Sequence, residues 1–349
     1  MEGRKKIIAV DFGGVGDLVL SIPFLRGLKQ AFPLSEISVL CAERTGMILK
    51  EQLYISSLYL SPITLRGLFA IGFQLRKKRL DMAINLMPET SYCSALKIYL
   101  LFLLINAKQW VGRDTEGRGF FYDIKIPEPN MQIENEVLMY GSILKAISDG
   151  DFDEGLEFHI TKKSRKRAGE LLSKERNFQR DPLVLINPGS DWPAKRWLID
   201  RYAELVERLA QLFPHVEFGI IGTQGEAELA RFIKGSCGER VFILSGKTPL
   251  EILPAVIEKA SLLITNDSGP AHIARAVGTP VVILAGPSAP AFFTIRGRNE
   301  TRVIYHPISC APCLKVSCAS MACWKAITVH EVVDVSAKLL GRKINEANS

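Results

Sequence analysis

The sequence has no apolar run long enough to span a membrane. Its longest run, Ile98 to Ile105, has eight residues, whereas a spanning helix needs about 20. The first residues, Met1 to Lys6, are polar and lead directly into a strand-like segment, which is not the pattern of an export signal. We therefore interpret the apolar run as part of a buried or interfacial helix rather than a membrane anchor.

The sequence also lacks the residue spacing of any nucleic-acid-binding module, so no nucleic acid is expected as a partner. The net charge is only +7, and its two densest basic clusters are Arg76 to Arg79 and Lys162 to Arg167. Such clusters usually form the solvated face of a helix. The alternative is attraction to an anionic ligand or to a membrane surface.

Cysteine is scarce outside one segment. Seven cysteines in 349 residues without a secretory signal indicate reduced thiols rather than a disulfide framework. Four of them, Cys310, Cys313, Cys318 and Cys323, lie within fourteen residues. A C-x2-C pair followed by two more thiols suits tetrahedral zinc, but the second pair is spaced more widely than in the common repeat. Free thiols are the default interpretation, and zinc is the alternative.

The chain is long enough for two folded domains, with 47% hydrophobic and 23% charged residues. Short apolar runs that end in polar or glycine-rich turns and lead into helical patterns predict parallel α/β units. The predicted strands are Lys6 to Phe12, Ile37 to Leu40, Met82 to Leu86, Leu183 to Ile186, Glu217 to Ile221, Val241 to Leu244, Leu262 to Thr265 and Val281 to Leu284.

The charged segment 161–181 is poor in apolar residues and is interpreted as a linker region. It separates an N-terminal lobe, residues 1–160, from a C-terminal lobe, residues 182–326. Residues 327–349 contain a helix pattern, Val329 to Leu340, that could pack back on the first lobe. Ligands of such folds bind beyond the carboxyl ends of the strands, so the turns that follow the strands are where chemistry is expected.

The first such turn is Gly13-Gly14-Val15-Gly16-Asp17. A dinucleotide fingerprint would need glycine at position 19, where this chain has Val19, and Asp17 would repel a phosphate in the same turn. These residues disfavour a dehydrogenase, although Glu43 after the second strand would suit one. Asp17 is either a helix N-cap, worth about 1 kcal/mol, or a general base for a substrate hydroxyl. One carboxylate can fill both roles.

Two turns of the C-terminal lobe suit a nucleotide. In the first, Ser190 can bind a phosphate oxygen, while Lys195 and Arg196 can neutralise a leaving diphosphate. An ordinary loop with surface cations is the alternative. In the second, Gly222 and Thr223 precede Glu226, whose carboxylate could bond a ribose hydroxyl.

The segment Asn266 to His272 is the strongest of these signals. Ser268 and the amide of Gly269 can hydrogen-bond phosphate oxygens at a helix N-terminus. Asp267 suits a sugar or ribose hydroxyl. His272, one helical turn later, either reaches a diphosphate or is a packed side chain.

In this order and spacing, the motifs strongly resemble glycosyltransferase family 9, the bacterial ADP-heptose:lipopolysaccharide heptosyltransferases. The resemblance covers nearly the whole chain. It rests on Gly13 to Asp17 with Leu18, Leu20 and Pro23, on Val111-Gly112-Arg113, on Asn187 to Ser190 with Lys195 to Trp197, on Asp267 to His272, on Ala276 to Pro280 and on the terminal cysteines.

The resemblance implies an α/β protein of the GT-B fold, with two Rossmann-like parallel-sheet lobes facing across a cleft. It implies inverting transfer of a heptose from ADP-heptose to the inner core of lipopolysaccharide, with no cofactor and no catalytic metal. The expected partners are an ADP-sugar donor and a lipid-linked core oligosaccharide. We expect a cytoplasmic protein, loosely associated with the inner face of the inner membrane.

The resemblance also assigns roles to residues. Asp17 matches the general base, and Lys195 would hold the charge of the leaving ADP. Six residues match donor-contacting positions of the family: Ser190, Lys195, Asp267, Ser268, Gly269 and His272. The chemistry of their own turns adds Arg196, Gly222, Thr223 and Glu226 to the expected donor-binding residues. The expected acceptor-binding residues are Gly14, Gly16 and Arg113.

Two other functions fit parts of the pattern. A nucleotide-sugar epimerase of the GT-B type would need the same donor turn and a carboxylate but no acceptor. A binding protein that lost catalysis would keep the nucleotide-binding turns, but the presence of both Asp17 and Lys195 argues against it. Products formed from an ADP-sugar alone would identify an epimerase.

Overall fold

The computed structural model describes residues 4–128, 136–178, 182–288, 297–313 and 315–348, with side chains up to 345. It divides into two compact units, Met1–His159 and Ile160–Ser349. The division lies next to the end of the lobe predicted from the sequence, residues 1–160.

The first unit is built around a parallel six-stranded sheet in the order β3-β2-β1-β4-β5-β6. Its strands are β1 (Lys6–Asp11), β2 (Glu36–Ala42), β3 (Ser57–Ser61), β4 (Met82–Asn85), β5 (Gln109–Thr115) and β6 (Ile124–Glu128). Its helices are α1 (Val15–Leu20), α2 (Ile22–Ala31), α3 (Leu65–Arg76), α4 (Tyr92–Ile105) and α5 (Glu136–Ile147), with a 3-10 turn at Gly46–Leu49. The central strands are buried on both faces, which explains their continuous apolar sequences.

The second unit has a parallel sheet in the order β9-β8-β7-β10-β11-β12. Its strands are β7 (Leu183–Asn187), β8 (Glu217–Ile220), β9 (Val241–Ile243), β10 (Leu262–Asn266), β11 (Val281–Leu284) and β12 (Thr301–Ile304). Its helices are α6 (Lys162–Glu175), α7 (Ile199–Leu212), α8 (Ala227–Cys237), α9 (Leu253–Glu258), α10 (Gly269–Val277), α11 (Ala322–Ala326) and α12 (Val329–Asn348). Short 3-10 turns lie at Pro193–Lys195, Gln224–Glu226, Gly238–Arg240 and Leu250–Ile252.

Both sheets have the doubly wound strand order of dinucleotide-binding folds. The order reverses between β1 and β4 in the first unit and between β7 and β10 in the second. Chains leave the two strands at such a point in opposite directions, so a crevice opens beyond their carboxyl ends. The turns after β1, β7 and β10 lie at these points.

The eight strands predicted from the sequence are all present at nearly the expected bounds. Four further strands, β3, β5, β6 and β12, were not predicted. Three of them are edge strands with exposed or half-buried positions, and β5 carries the polar residues Gln109, Arg113 and Asp114. Their sequences therefore lack the continuous apolar run that identified the others.

The segment 161–181 differs from the linker that its composition indicates. Most of it forms α6, which buries Ala168 and Leu172 in the second unit. Arg165 also pairs with Glu258 at 2.8 Å, which ties the charged face of this helix to α9. Residues 179–181 lie outside the described residues. The charged face is thus a solvated helix surface with apolar contacts beneath it.

The last helix is longer than the pattern Val329 to Leu340 indicates. It continues to Asn348, and Val332, Val333, Leu339 and Leu340 are buried in the core of the second unit. The run Ile98 to Ile105 lies within α4, which confirms the predicted helix. Within the part of the chain that the structure describes, no helix has the length and apolarity needed to cross a bilayer.

Candidate functional site

The turn after β1 holds the Asp17 carboxylate in a fixed position. Gly14 is the N-cap residue of α1, and its amide donates to Oδ2 of Asp17 at 2.7 Å. Asp17 is thus the third residue of the helix rather than the N-cap itself, but its carboxylate makes a cap bond. Gly16 lies between them in the first turn of α1. The side chain of Asp17 is half-buried.

A second carboxylate, Asp11, lies beneath this turn. Its side chain is fully buried, and its Oδ1 accepts a hydrogen bond from the Gly13 amide at 2.9 Å. Its Oδ2 has no hydrogen-bond partner among the described residues. Burial, reinforced by the negative charge of Asp17, raises the pKa of Asp11 to about 7.

Gly13 separates the two carboxylates. A Cβ at this position would lie 2.7 Å from Oδ2 of Asp17 and 2.9 Å from Oδ1 of Asp11. No side chain fits there, so glycine is required by the close approach of the two acids.

Arg113 occupies a different environment from the one expected for a residue that contacts the acceptor. Its side chain is 2% exposed, and its guanidinium binds Glu128 and, at 2.6 Å, Glu136. It also donates to the carbonyl of Leu86 at 3.2 Å. Burial alone would lower the pKa of Arg113, but the two carboxylates outweigh it and raise this pKa above its ordinary value.

Glu136 links Arg113 to the turn after β1. Burial raises its pKa, Arg113 opposes this effect, and the charges of Asp17 and Glu128 add to it. These mutual effects place Arg113, Glu136, Asp17 and Asp11 in one electrostatic cluster. Arg113 therefore holds the Glu136 carboxylate and offsets part of the negative charge of this cluster.

In the second unit, two asparagines tie together the turns after β7 and β10. Asn187 donates to Oγ of Ser268 at 2.9 Å and to Oγ1 of Thr265 at 3.0 Å. Asn266 donates to the carbonyl of Pro188 at 2.9 Å and accepts from the amide of Trp197 at 3.0 Å. The two turns are thus held in one arrangement at the point where the strand order reverses.

Lys195 and Asp267 form an ion pair beside the start of α10. Nζ of Lys195 lies 2.8 Å from Oδ2 of Asp267, and the hydroxyl of Ser288 donates to the same oxygen. Burial acts to raise the pKa of Asp267, but the charge of Lys195, with the hydrogen bonds from Lys195 and Ser288, outweighs it and lowers this pKa below its ordinary value. Asp267 is therefore ionised at neutral pH, and the cation of Lys195 stays partly exposed.

The N-terminus of α10 begins at Ser268, the N-cap residue, with Gly269 and Pro270 in its first turn. This helix end directly follows Asp267 in the chain, and the partial positive charge of a helix N-terminus suits an anion. His272 follows in the same helix and is buried. Burial lowers its pKa to about 4, so His272 is neutral at neutral pH and contributes no cation.

The turns after β7 and β8 meet through Glu226. Oε2 of Glu226 accepts from the amide and hydroxyl of Thr223, at 2.8 and 2.9 Å. Its Oε1 lies 4.0 Å from the Arg196 guanidinium, which itself donates to the carbonyl of Ser190 at 2.8 Å.

Two glycines make room for this carboxylate. A Cβ on Gly189 would lie 2.0 Å from Oε1 of Glu226. Gly222 has a φ of +153°, and a Cβ there would lie 3.0 Å from Oε2. The structure thus brings Ser190, Arg196, Gly222, Thr223 and Glu226 together at the carboxyl edge of the second sheet.

The cysteine segment packs against the turn that carries Lys195. Nε1 of the buried Trp324 donates to the carbonyl of Ala194 at 2.6 Å, and the Ala194 amide donates to the carbonyl of Val316 at 3.0 Å. The amide of Cys313 donates to the carbonyl of Pro287, next to Ser288. This segment therefore supports Ala194, which precedes Lys195, and Pro287, which precedes the Asp267 partner Ser288.

None of the four thiols of this segment forms a disulfide. Burial raises the pKa of Cys323, and the charges of Cys313 and Cys310 contribute to this shift. Across the described residues, which omit Leu314 of this segment, no group of His, Cys, Asp or Glu is arranged to hold a metal ion.

Several residues of these two sites were not singled out from the sequence. Asp11 and Glu136 belong to the first unit, and Ser288 and Trp324 to the second. One sequence feature could have marked Asp11 as a candidate site residue. It ends an apolar strand, and an acidic side chain is unusual at a buried position. Glu136, Ser288 and Trp324 lie near the two sites only because of tertiary packing, which no local sequence pattern can predict.

Comparison with known proteins agrees with this description. The sequence profile of glycosyltransferase family 9 (heptosyltransferase) matches residues 68–324. Lipopolysaccharide heptosyltransferase 2 of Salmonella typhimurium is 29% identical over 329 residues, covering 87% of this chain and 90% of the relative. The lipopolysaccharide core heptosyltransferase OpsX of Haemophilus influenzae is 27% identical over 286 residues, covering 80% of this chain and 79% of the relative.

Solved structures show the same fold. ADP-heptose lps heptosyltransferase II of E. coli superposes with a TM-score of 0.78 at 22% identity, covering 97% of this chain and 99% of that one. A family 9 glycosyl transferase of Veillonella parvula superposes with a TM-score of 0.79 at 23% identity, covering 97% of each chain. The predicted fold class, a GT-B fold built on two Rossmann-like parallel sheets, is confirmed. The profile match spans well over half of the residues, and the chain belongs to glycosyltransferase family 9 and is a glycosyltransferase.

Proposed function

We propose that this glycosyltransferase moves a heptose from ADP-heptose to a sugar of the lipopolysaccharide inner core. Curated relatives that cover most of the chain are named as lipopolysaccharide heptosyltransferases. The observation that carries the proposal is the group at the carboxyl ends of β7 and β10. There, a partly exposed Lys195 cation, the Asp267 carboxylate and the N-terminus of α10 adjoin one another.

This group suits the diphosphate of an ADP-sugar. The amides at the start of α10, with the hydroxyl of Ser268, offer hydrogen bonds to phosphate oxygens. Lys195 supplies the positive charge that a leaving ADP needs, and Asp267 holds that cation in place. No metal ion is needed for this role in our proposal.

The nucleoside end of the donor would lie along the turns after β7 and β8. Glu226 is held by Thr223 through one carboxylate oxygen, which leaves the other to accept from a ribose hydroxyl. Gly222 and Ser190 would contribute backbone groups, and Arg196 keeps the turn in shape through the Ser190 carbonyl.

In the proposed reaction, Asp17 removes the proton from an acceptor hydroxyl. The freed oxygen attacks the anomeric carbon of the heptose, the bond from that carbon to the diphosphate oxygen breaks, and ADP leaves with the bonding electrons. Attack from the face opposite the leaving group inverts the anomeric configuration. Asp17 suits the role of base because its carboxylate is half-buried and fixed by the Gly14 amide.

The acceptor would approach Asp17 along the glycine turn, with Gly14 and Gly16 allowing close contact. We assign Arg113 a positioning role, since its guanidinium is occupied by Glu128 and Glu136. An inner-core acceptor is lipid-linked, so we also propose that the protein works at the inner face of the inner membrane.

The proposal is tested by incubating the protein with ADP-heptose, with and without a deacylated core oligosaccharide. We expect ADP and an elongated oligosaccharide only when both substrates are present, and an inverted anomeric centre in the product. An epimerised ADP-sugar formed without acceptor would contradict transfer. Turnover of another ADP-sugar in preference to ADP-heptose would contradict the proposal that the donor is ADP-heptose.

A further inference from the structure

The first unit presents an apolar surface on α3 and α4, far along the chain from the catalytic turn. The two helices pack against each other, since a Cβ on Gly72 would lie 2.6 Å from Cβ of Leu104. Their outward residues include six large apolar side chains that remain exposed, here called the apolar face: Leu65, Phe69, Phe73, Tyr92, Leu96 and Leu103.

The spacing of these residues shows that they form continuous stripes. Leu65, Phe69 and Phe73 recur every four residues on α3, and Tyr92 and Leu96 do so on α4. The inward positions of α3, Leu68, Ile71 and Leu75, are already buried in the core. The exposed stripe is therefore not needed to form the core of the fold. Clustered exposed apolar side chains of this kind indicate an interaction surface.

Aromatic side chains extend this surface. Phe120 is 58% exposed, and its ring lies 6.4 Å from that of Tyr99 on α4. Tyr99 also contacts the indole of Trp110 at 6.1 Å. Tyrosine and tryptophan are enriched where proteins meet the head-group region of a bilayer.

The two helices that carry the apolar face have charges of one sign. Helices α3 and α4 contain no acidic residue. The run Arg76 to Arg79 lies at the C-terminal end of α3 and is exposed, as are Arg66 and Lys97. An anionic surface with an apolar layer beneath it matches both properties.

A second copy of the chain fits this surface less well. A symmetric dimer brings the same patch of each copy together. Because α3 and α4 contain no acidic residue, the basic run of one copy would meet no carboxylate on these helices of the other, and like charges across an interface oppose association. An anionic bilayer removes that repulsion and replaces it with attraction.

We propose that the apolar face and the Arg76 to Arg79 run dock the first unit on an anionic lipid bilayer. The apolar side chains enter the head-group region, while the basic run binds lipid phosphates. This extends the proposed site of action at the membrane, but it does not depend on which sugar is transferred.

The test is sedimentation of the purified full-length protein with vesicles of phosphatidylcholine, alone or mixed with phosphatidylglycerol. We expect binding to the mixed vesicles that weakens as salt is raised, and little binding to phosphatidylcholine alone. The triple variant Arg76→Gln, Lys77→Gln, Lys78→Gln should bind about 100-fold more weakly. The double variant Phe69→Gln, Phe73→Gln should also lose most binding.

Matched controls come from the second unit. The triple variant Lys162→Gln, Lys163→Gln, Lys166→Gln removes the same charge from the other basic cluster, and Phe232→Gln removes an aromatic ring that is 50% exposed. Both should bind vesicles like the original protein. All substituted side chains are exposed, and thermal melting verifies that each variant is folded.

Three results would overturn the proposal: no binding to the mixed vesicles, equal binding by the α3 variants, or an equal loss in the control variants. Light scattering that finds a dimer dissociated by Phe69→Gln, Phe73→Gln would assign the face to a second copy instead. These measurements need no sugar donor. The docking proposal can therefore be wrong while heptosyl transfer is found, and it can be right while heptosyl transfer is not found.

Discussion

Nζ of Lys195 lies 2.8 Å from Oδ2 of Asp267, which fixes a cation beside the N-terminus of α10. The ion pair joins the turn after β7 to the turn after β10. Because Ser288 and the Trp324 segment support its two sides, the cation is held in place before any donor binds. Such preorganisation is what charge stabilisation of a leaving diphosphate requires.

Lys195→Ala should weaken ADP binding by about tenfold or more, because a charge-assisted hydrogen bond to phosphate is lost. The rate of transfer should fall further, since the charge on the leaving group is greatest in the transition state. Calorimetry with ADP measures the first effect, and ADP release measures the second. Arg208→Ala, which removes an exposed ion pair with Glu204 on α7, is the control and should change neither. Unchanged ADP affinity in Lys195→Ala would exclude the proposed role.

Asp11→Asn should change how stability depends on pH. The pKa of Asp11 is about 7 in the folded protein, against 3.8 in the reference state. Between these values the native state holds a proton that the unfolded state lacks, so stability falls as pH rises from about 4 to about 7. The neutral amide avoids this loss. We expect the variant to be more stable by about 2 to 4 kcal/mol at pH 8 and nearly unchanged at pH 4.

Urea denaturation of both proteins across this pH range provides the measurement. Other groups contribute in both proteins, among them His272, whose lowered pKa makes stability rise between about pH 4 and 6.5. The difference between the two curves isolates Asp11. A difference that does not vary with pH would mean that Asp11 carries no proton in the folded state at neutral pH.

Gly13→Ala should disrupt the turn after β1, which carries the proposed base, without affecting the proposed donor site. The added methyl group would lie 2.6 Å from Cβ of Asp17, so the turn must shift. We expect transfer to fall more than tenfold, because a displacement of about 1 Å at a catalytic group costs roughly 100-fold, while ADP affinity stays unchanged. Gly235→Ala, where a Cβ meets no atom within 4 Å, is the control for glycine substitution. Normal transfer by Gly13→Ala would show that the turn tolerates the shift.

Trp324→Phe should lower the free energy of unfolding by about 1 to 3 kcal/mol, because it leaves the buried Ala194 carbonyl without its donor. Ala194 precedes Lys195, so ADP affinity should fall as well. Urea denaturation and ADP calorimetry on the same samples test both effects. Loss of stability with normal ADP affinity would confine Trp324 to a structural role.

The sequence predicted the central strands and the turns that follow them, because both follow from local patterns. A buried parallel strand such as β10 is a continuous apolar run, and the polar residues of Asn266 to His272 follow it directly. Edge strands such as β3 and β12 could not be predicted in this way, because half-exposed strands mix apolar and polar residues. The charged segment 161–181 was interpreted as a linker because the apolar contacts of α6 are few and widely spaced.

Pairings between distant residues could not be predicted. Arg113 precedes its partners Glu128 and Glu136 by 15 and 23 residues, and only the folded chain shows that these carboxylates occupy its guanidinium. The burial of Asp11 beneath Asp17 likewise depends on how the turn after β1 folds. The sequence predicted which residues carry the two candidate sites, but it did not predict the partners that hold them.

The most direct test of the central claim compares the original protein with Asp17→Asn in the transfer of heptose from ADP-heptose to a deacylated core acceptor. The amide keeps the size of the side chain and can still accept from the Gly14 amide, but it cannot take a proton. We predict that turnover falls at least about 100-fold, while calorimetry gives the same ADP affinity for both proteins. Turnover close to that of the original protein would contradict the account.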